Sequence, residues 1–119
     1  MPHYFERDNY TQTVLATHAS IPGELLLYGF TVYNNTASAE WVQLFDDGYN
    51  VPADGNVPAA SWPIAAHSAL QIYYGRSGRL CKGGVSLVFS TTAPTKTIGT
   101  AACLFDVQYA HIIQIQEEV

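Results

Sequence analysis

Four histidines (His3, His18, His67, His111), two cysteines (Cys81, Cys103) and three of the five aspartates (Asp46, Asp47, Asp54) are the residues of this chain whose types and spacing could carry chemistry. No two histidines stand at H-x-x-x-H spacing, and no cysteine is close enough to complete a metal set. A Cys–His nucleophile would have to be assembled in space from Cys81 or Cys103 and His18, His67 or His111. Reactive thiols need a helix N-terminus or a neighbouring cation, and both cysteines lie in stretches that read as strands. Asp46, Asp47 and Asp54 could offer oxygens to Ca²⁺, but the D-x-D-x-D-G ladder with its terminal Glu is absent. Each Asp-Gly pair, Asp47-Gly48 and Asp54-Gly55, is already explained as a turn. A paired-carboxylate hydrolase needs a cleft lined by polar groups, and ten acidic residues in the whole chain are weak ground for one. Removal of Met1 would free the Pro2 amine as a general base, but HYFERDNYTQT does not open with the apolar strand such a site requires. The expectation is a protein without enzymatic activity, cofactor or metal.

The elements that would position these residues are strands. Alternation of apolar and polar residues with period two dominates, and no helix-period stripe persists for a dozen residues. Thr11 to His18 alternates. Glu24 to Asn34 is the strongest strand, apolar on both faces near its start, with Gly29 marking a bend or bulge. Asn34 to Ser38 reads as a short polar connection to a second strand, Ala39 to Phe45, which makes a hairpin of the pair. Tyr49 to Pro58 is a loop, because Pro52 and Pro58 cannot donate to a sheet ladder. The stretch from Asp46 to Pro58 therefore reads as a joint carrying the chain between strands, across the sandwich in one version. Ser61 to Ala65, interrupted by Pro63, is an edge strand. Ala69 to Tyr74 and Val85 to Ser90 are strands, with a break at Gly83-Gly84. Thr91 to Thr100 reads as an exposed, mobile loop. Ala102 to Tyr109 and Ile112 to Gln116 are the last two strand candidates, and a turn of helix is an alternative for Pro2 to Asp8.

Seven to nine short strands in 119 residues predict an all-β, single-domain antiparallel β-sandwich, jelly-roll-like, with a closed β-barrel as the alternative. One domain spans residues 1–119, with an N-terminal arm at 1–10 and a C-terminal arm or strand at 110–119. Only 13% of residues are charged, against about 25% in ordinary domains. That deficit points to surface covered by other subunits, the other reading being a surface solubilised by neutral polar residues. A formal charge of −5 argues against nucleic acid as a partner, and the cations Arg76, Arg79 and Lys82 near one turn read as a solvated tip. No apolar run reaches the roughly 20 residues of a membrane-spanning helix. No secretory leader is read at the N-terminus, so Cys81 and Cys103 are expected as reduced thiols, with a disulfide only if their strands are neighbours. The glycosylation patterns at Asn9 and Asn34 carry little weight in that setting.

Fifteen aromatic residues, eight of them tyrosine, remain to be placed. Trp41, Phe45, Phe89 and Phe105 fall in strand alternation. Tyr4, Phe5 and Tyr10 near the N-terminus, and Tyr49 and Trp62 flanking the long loop, are the candidates for contacts outside the domain. Ile112, Ile113 and Ile115 could join them or complete the domain's own sheet. Exposed Tyr and Trp also stack on sugar rings, with Tyr49, Trp62, Tyr73 or Tyr74 as a platform for a glycan.

The order LLLYGFTVYNNTASAEWVQLFDDG, VPADGNVP, SWPIAAHSALQIYYG, LCKGGVSLVFSTTAPTKT resembles small all-β structural proteins of tailed bacteriophages. The likeness covers roughly Leu25 to Thr97 and rests on strand and turn patterns. It implies a virion component made in the host cytoplasm: a head decoration (cement) protein or a tail-attachment module, self-associating and bound to capsid or tail proteins. It transfers no catalytic residue. The alternative is a carbohydrate-binding β-sandwich used in host adhesion.

Overall fold

The computed structural model describes residues 3–12, 14–99 and 101–114, and the side chains of 8–12, 14–99 and 101–112. Its strands are β1 (His3–Thr11), β2 (His18–Ile21), β3 (Leu25–Asn34), β4 (Glu40–Phe45), β5 (Ala60–Ile64), β6 (Ala69–Tyr73), β7 (Arg79–Cys81), β8 (Val85–Ser90) and β9 (Cys103–Gln114). They form two antiparallel sheets, one in the order β1-β9-β3-β6 with β7 also on β3, the other in the order β2-β8-β4-β5.

The order follows from a simple nesting. β4 pairs with β5, β3 with β6 and β7, β2 with β8 and β1 with β9. The chain is thus a long ribbon folded back on itself. Rolling the ribbon adds β9 against β3 and β8 against β4, which makes two stacked sheets. This is the jelly-roll arrangement of an all-β sandwich. Each sheet keeps two free edges, so the closed barrel is set aside.

The core lies between the sheets. Leu25, Leu27, Phe30 and Val32 of β3 and Cys103, Phe105 and Val107 of β9 meet Val42 and Leu44 of β4 and Val85, Leu87 and Phe89 of β8. The change from odd to even inward positions along β3 is made by a bulge between Leu27 and Gly29. One extra residue there flips the pleat, as the glycine predicts. A second glycine has a steric task. Gly84 has φ 87°, and a Cβ on it would collide with the Ile21 carbonyl oxygen, so the turn into β8 closes only on glycine.

Several expectations are corrected. Thr11 to His18 is not a strand: β1 ends at Thr11, β2 begins at His18, and Ala16 makes a single bridge to Cys103. β1 takes the place of the helical turn that stood as an alternative for Pro2 to Asp8, with His3 to Thr11 paired along Asp106 to Gln114. Its charged residues hide the strand because it is an edge, where charge protects an open ladder from aggregation. β3 and β4 are not a hairpin, since they belong to different sheets. Asn34, fully buried, turns the chain between them: its Nδ2 donates to Ser38 O and Ala65 O, and its Oδ1 accepts from Thr36 N and Oγ1. The joint from Asp46 to Pro58 stays within one sheet and links the adjacent strands β4 and β5. The last two strand candidates are one strand, β9.

Candidate functional site

The chemistry-bearing residues are dispersed or internally engaged. Among the described residues no three His, Cys, Asp or Glu side chains form a group that could hold a metal. Asp46 pairs with Arg79 Nη2 (3.0 Å) and so ties β7 to the end of β4 across the two sheets. Asp47 Oδ1 accepts the Tyr49 and Asn50 amides, and the Tyr49 N–H above all pulls its carboxyl below the usual value. Asp54 Oδ1 accepts Lys96 Nζ (3.2 Å) and Ile98 N (3.1 Å). The three carboxylates face three different partners.

Cys81 and Cys103 are buried free thiols. Cys81 lies opposite Leu25 and Cys103 opposite Asn34, at the two ends of β3. Nine residue steps of strand put them about 30 Å apart, so no disulfide joins them within one chain. Burial pushes both thiols up to about 12, with Asp46 adding to the effect at Cys81 and Glu40 at Cys103. At neutral pH both are protonated and poor nucleophiles. His111 shares a hydrogen bond with Pro22 O (2.8 Å), His18 with Thr17 Oγ1, and His67 sits in a turn at φ 49°. Asn34 of the second glycosylation pattern is committed to its turn, whereas Asn9 is exposed, its Nδ2 donating to Thr11 Oγ1 (2.7 Å).

Two loops at the far end of the β4–β5–β8 sheet are clamped together. Gln43 is wholly buried on β4, and its Nε2 donates toward Thr92 O (2.8 Å), Ala93 O (3.1 Å) and Thr95 O (3.2 Å). Gly55 N donates to Lys96 O, and Lys96 N donates to Asn56 O. Lys96, only 5% exposed, reaches Asp54 beneath these bonds. The segment from Thr91 to Thr100, expected to be mobile, is therefore held from below over its described part. Val51, Val57 and Ile98 stay exposed on these two loops.

The aromatic candidates divide. Trp62 packs on the core, edge-on to Phe30 with ring centroids 5.3 Å apart, and Tyr10 and Tyr74 also pack against the core. Tyr49 and Tyr73 are each 70% exposed, Tyr49 in the β4–β5 loop and Tyr73 on β6 of the other sheet. The four platform residues are thus not gathered on one face. Ile112 is half-buried on β9. Tyr4, Phe5 and Ile113 have only their strand positions described, Tyr4 opposite Ile113 and Phe5 opposite Ile112. Ile115 and Pro2 lie outside the described residues.

A feature the sequence reading missed is a shallow hollow lined by Asp8, Asn9, Tyr28, Gln108 and Tyr109, where β1, β9 and the β3 bulge meet. Tyr109 Oη donates a long bond to Asp8 Oδ2 (3.4 Å), and its ring meets His111 edge-on. Burial first, then the Asp8 charge, raises the Tyr109 phenol above its ordinary value. The residues come from three strands distant in sequence, so no local motif announces them.

No family model and no curated protein matches the chain. Among solved structures it is similar to the coat protein of Tobacco streak virus, with a TM-score of 0.45 and 9% sequence identity over 94% of this chain and 91% of that one.

Proposed function

We propose that this chain is a non-enzymatic structural component of a virion, a head decoration (cement) or tail-attachment module that self-associates and docks on capsid or tail proteins. The observation that carries the reading is the surface. A chain with only 13% charged residues exposes Val14, Leu15, Tyr49, Val51, Val57, Tyr73, Leu80 and Ile98 on a sandwich whose core is already closed. Apolar and tyrosine side chains left outside a complete core supply contact area for other proteins. The jelly roll adds support by analogy, since viral capsid domains use it, although lectins and cupins do too. The sequence resemblance to tailed-phage structural proteins supplies the finer setting.

The test has two arms. Light scattering at micromolar concentration is expected to give a mass above one chain, and purified particles lacking the protein are expected to take it up in fixed stoichiometry. A strict monomer with no affinity for particles would overturn the reading.

A further inference from the structure

We propose that two copies of this chain pair through the free edge of β6, antiparallel and in one register, so that the β1-β9-β3-β6 sheet runs on into a second copy across a two-fold axis at Gln71. The contact rests on the self-association proposed above and names its surface.

Among the described residues the sheet edges are β1 and β6 in one sheet and β2 and β5 in the other. An open edge invites pairing unless something blunts it. β1 carries Glu6, Arg7 and Asp8 in succession, β5 carries Pro63, and β2 is four residues long and runs into Pro22. β7 pairs with β3 on the same side as β6, but it is three residues long and opens on Arg79. β6, with the sequence ALQIY, has no charge, proline or glycine.

Along an antiparallel strand the backbone groups of successive residues point alternately toward a neighbour and away from it. Tyr74 N donates to Tyr28 O, and Asn34 N donates to Ser68 O, so the even-numbered positions along β6 are those bonded to β3. The N–H and C=O groups of Ala69, Gln71 and Tyr73 therefore point to the open edge. With the axis at Gln71, Ala69 of one copy faces Tyr73 of the other, Gln71 faces Gln71, and Tyr73 faces Ala69. Each facing pair exchanges two N–H···O bonds, and every outward group is used. An axis between two residues would set outward groups against inward ones. Moving the axis to Leu70 sets Tyr73 opposite His67, and moving it to Ile72 sets Ala69 opposite Gly75. His67 (φ 49°) and Gly75 (φ 82°) have left the extended conformation, so either shift loses pairs.

The side chains agree with this register. Leu70 and Ile72 pack against the core and are half-buried at its margin. The pairing sets Leu70 beside Ile72 of the other copy, so the apolar layer continues from one sandwich into the next. On the opposite face Tyr73, 70% exposed, meets Ala69, and the two Gln71 amides meet each other. No like charges face one another. A two-fold contact through β1 is the reverse case: registers centred on Glu6, Arg7 or Asp8 each set like charges opposite one another. An edge that is its own complement selects a second copy over an unrelated strand, and the contact closes on itself as a dimer.

The experiment is Gln71→Cys under mild oxidation with oxidised glutathione. Facing Cα atoms in a hydrogen-bonded pair are about 5.5 Å apart, within disulfide reach, and the native thiols Cys81 and Cys103 are buried. Gln71→Cys is expected to run as a covalent dimer on a non-reducing gel. Gln108→Cys, exposed on the same face but two strands inward, is expected to run as a monomer. Gln71→Lys puts like charges on the axis and is expected to weaken self-association about tenfold or more in sedimentation velocity, while Gln108→Lys changes it less than about twofold. Both positions are exposed, so all four variants are expected to keep the wild-type circular dichroism spectrum. If the wild type associates but Gln71→Lys and Gln108→Lys behave alike, or Gln71→Cys does not cross-link, this contact is wrong and the structural role stands. If Gln71→Lys spares self-association and blocks uptake onto particles, the edge takes a strand of the particle and self-pairing is wrong. A wild type that is monomeric at every concentration overturns this contact, and the reading above falls only if particles also fail to take the protein up.

Discussion

The loop from Thr91 to Ile98 and the loop from Tyr74 to Gly78 are both polar turns at the rim of the sandwich, and they have opposite fates. In the first, three carbonyls converge on the buried Gln43 amide and a nearly buried lysine reaches Asp54. In the second, Arg76 and Ser77 project into solvent between two glycines, anchored at the flanks by Tyr74 N on Tyr28 O and by Arg79 on Asp46. Polar groups consumed inside the molecule build the fold. Polar groups left over are what another molecule can recognise.

That contrast breaks most easily at Gln43. Replacement by Leu keeps the volume and removes the Gln43 donor; Thr92 O keeps the Ser90 hydroxyl and Thr95 O keeps the Thr92 hydroxyl, so Ala93 O is the carbonyl left without its side-chain donor. The expected loss is about 2 kcal/mol, read as a fall of the thermal midpoint of roughly 8 °C or more. A midpoint within a degree or two of wild type would mean that water serves that carbonyl equally well. The next effect is an asymmetry. Asp54→Ala strands a nearly buried ammonium and is expected to cost about 1–2 kcal/mol, whereas Lys96→Met keeps the packed stem, frees a solvated carboxylate and is expected to cost under about 1 kcal/mol. Denaturant titration of the two variants orders them. Amide exchange sharpens the comparison further: the N–H groups of Gly55, Lys96 and Thr97 are internally bonded and are expected to exchange more slowly than those of Arg76 and Ser77. Smallest of all is Arg76→Ala, expected to move stability by less than about 0.5 kcal/mol in the same titration.

A separate check concerns the thiols. Cys81 and Cys103 rise from an ordinary value near 9 to about 12 in the folded chain. The folded state therefore holds protons that the unfolded state releases above pH 9. Their contribution to stability is fully present below that pH and is lost as pH climbs toward 12. Ellman's reagent at pH 8 is expected to label neither thiol in the native protein and both after denaturation.

Alternation was a sufficient guide where a strand has one covered face or two. It located β3, β5, β6 and β8, the break at Gly83-Gly84, the bulge at Gly29 and the edge position of the strand carrying Pro63. It failed at β1, where Glu6, Arg7 and Asp8 interrupt the pattern and the strand is recognisable only by its long pairing with β9. The hairpin reading of β3 and β4 failed because a five-residue link looks alike whether it reverses within a sheet or crosses to another. What decides is the side chain of Asn34, bonded to Ala65 thirty-one residues on. The bonds that hold Thr92, Ala93 and Thr95 were hidden likewise, since their donor lies on β4. The hollow was illegible for a related reason: its residues are neighbours only across strand pairs. Arg76 was visible from the start as part of a cationic turn, but its availability appears only once Arg79 and Lys96 are seen to be spoken for.

The ladder between the first and last strands sets His3 beside Gln114. Both ends of the ribbon therefore emerge at one pole of the sandwich. Labels placed at positions 3 and 114 would lie within about one strand spacing of each other, and their separation would report directly on whether that ladder is formed.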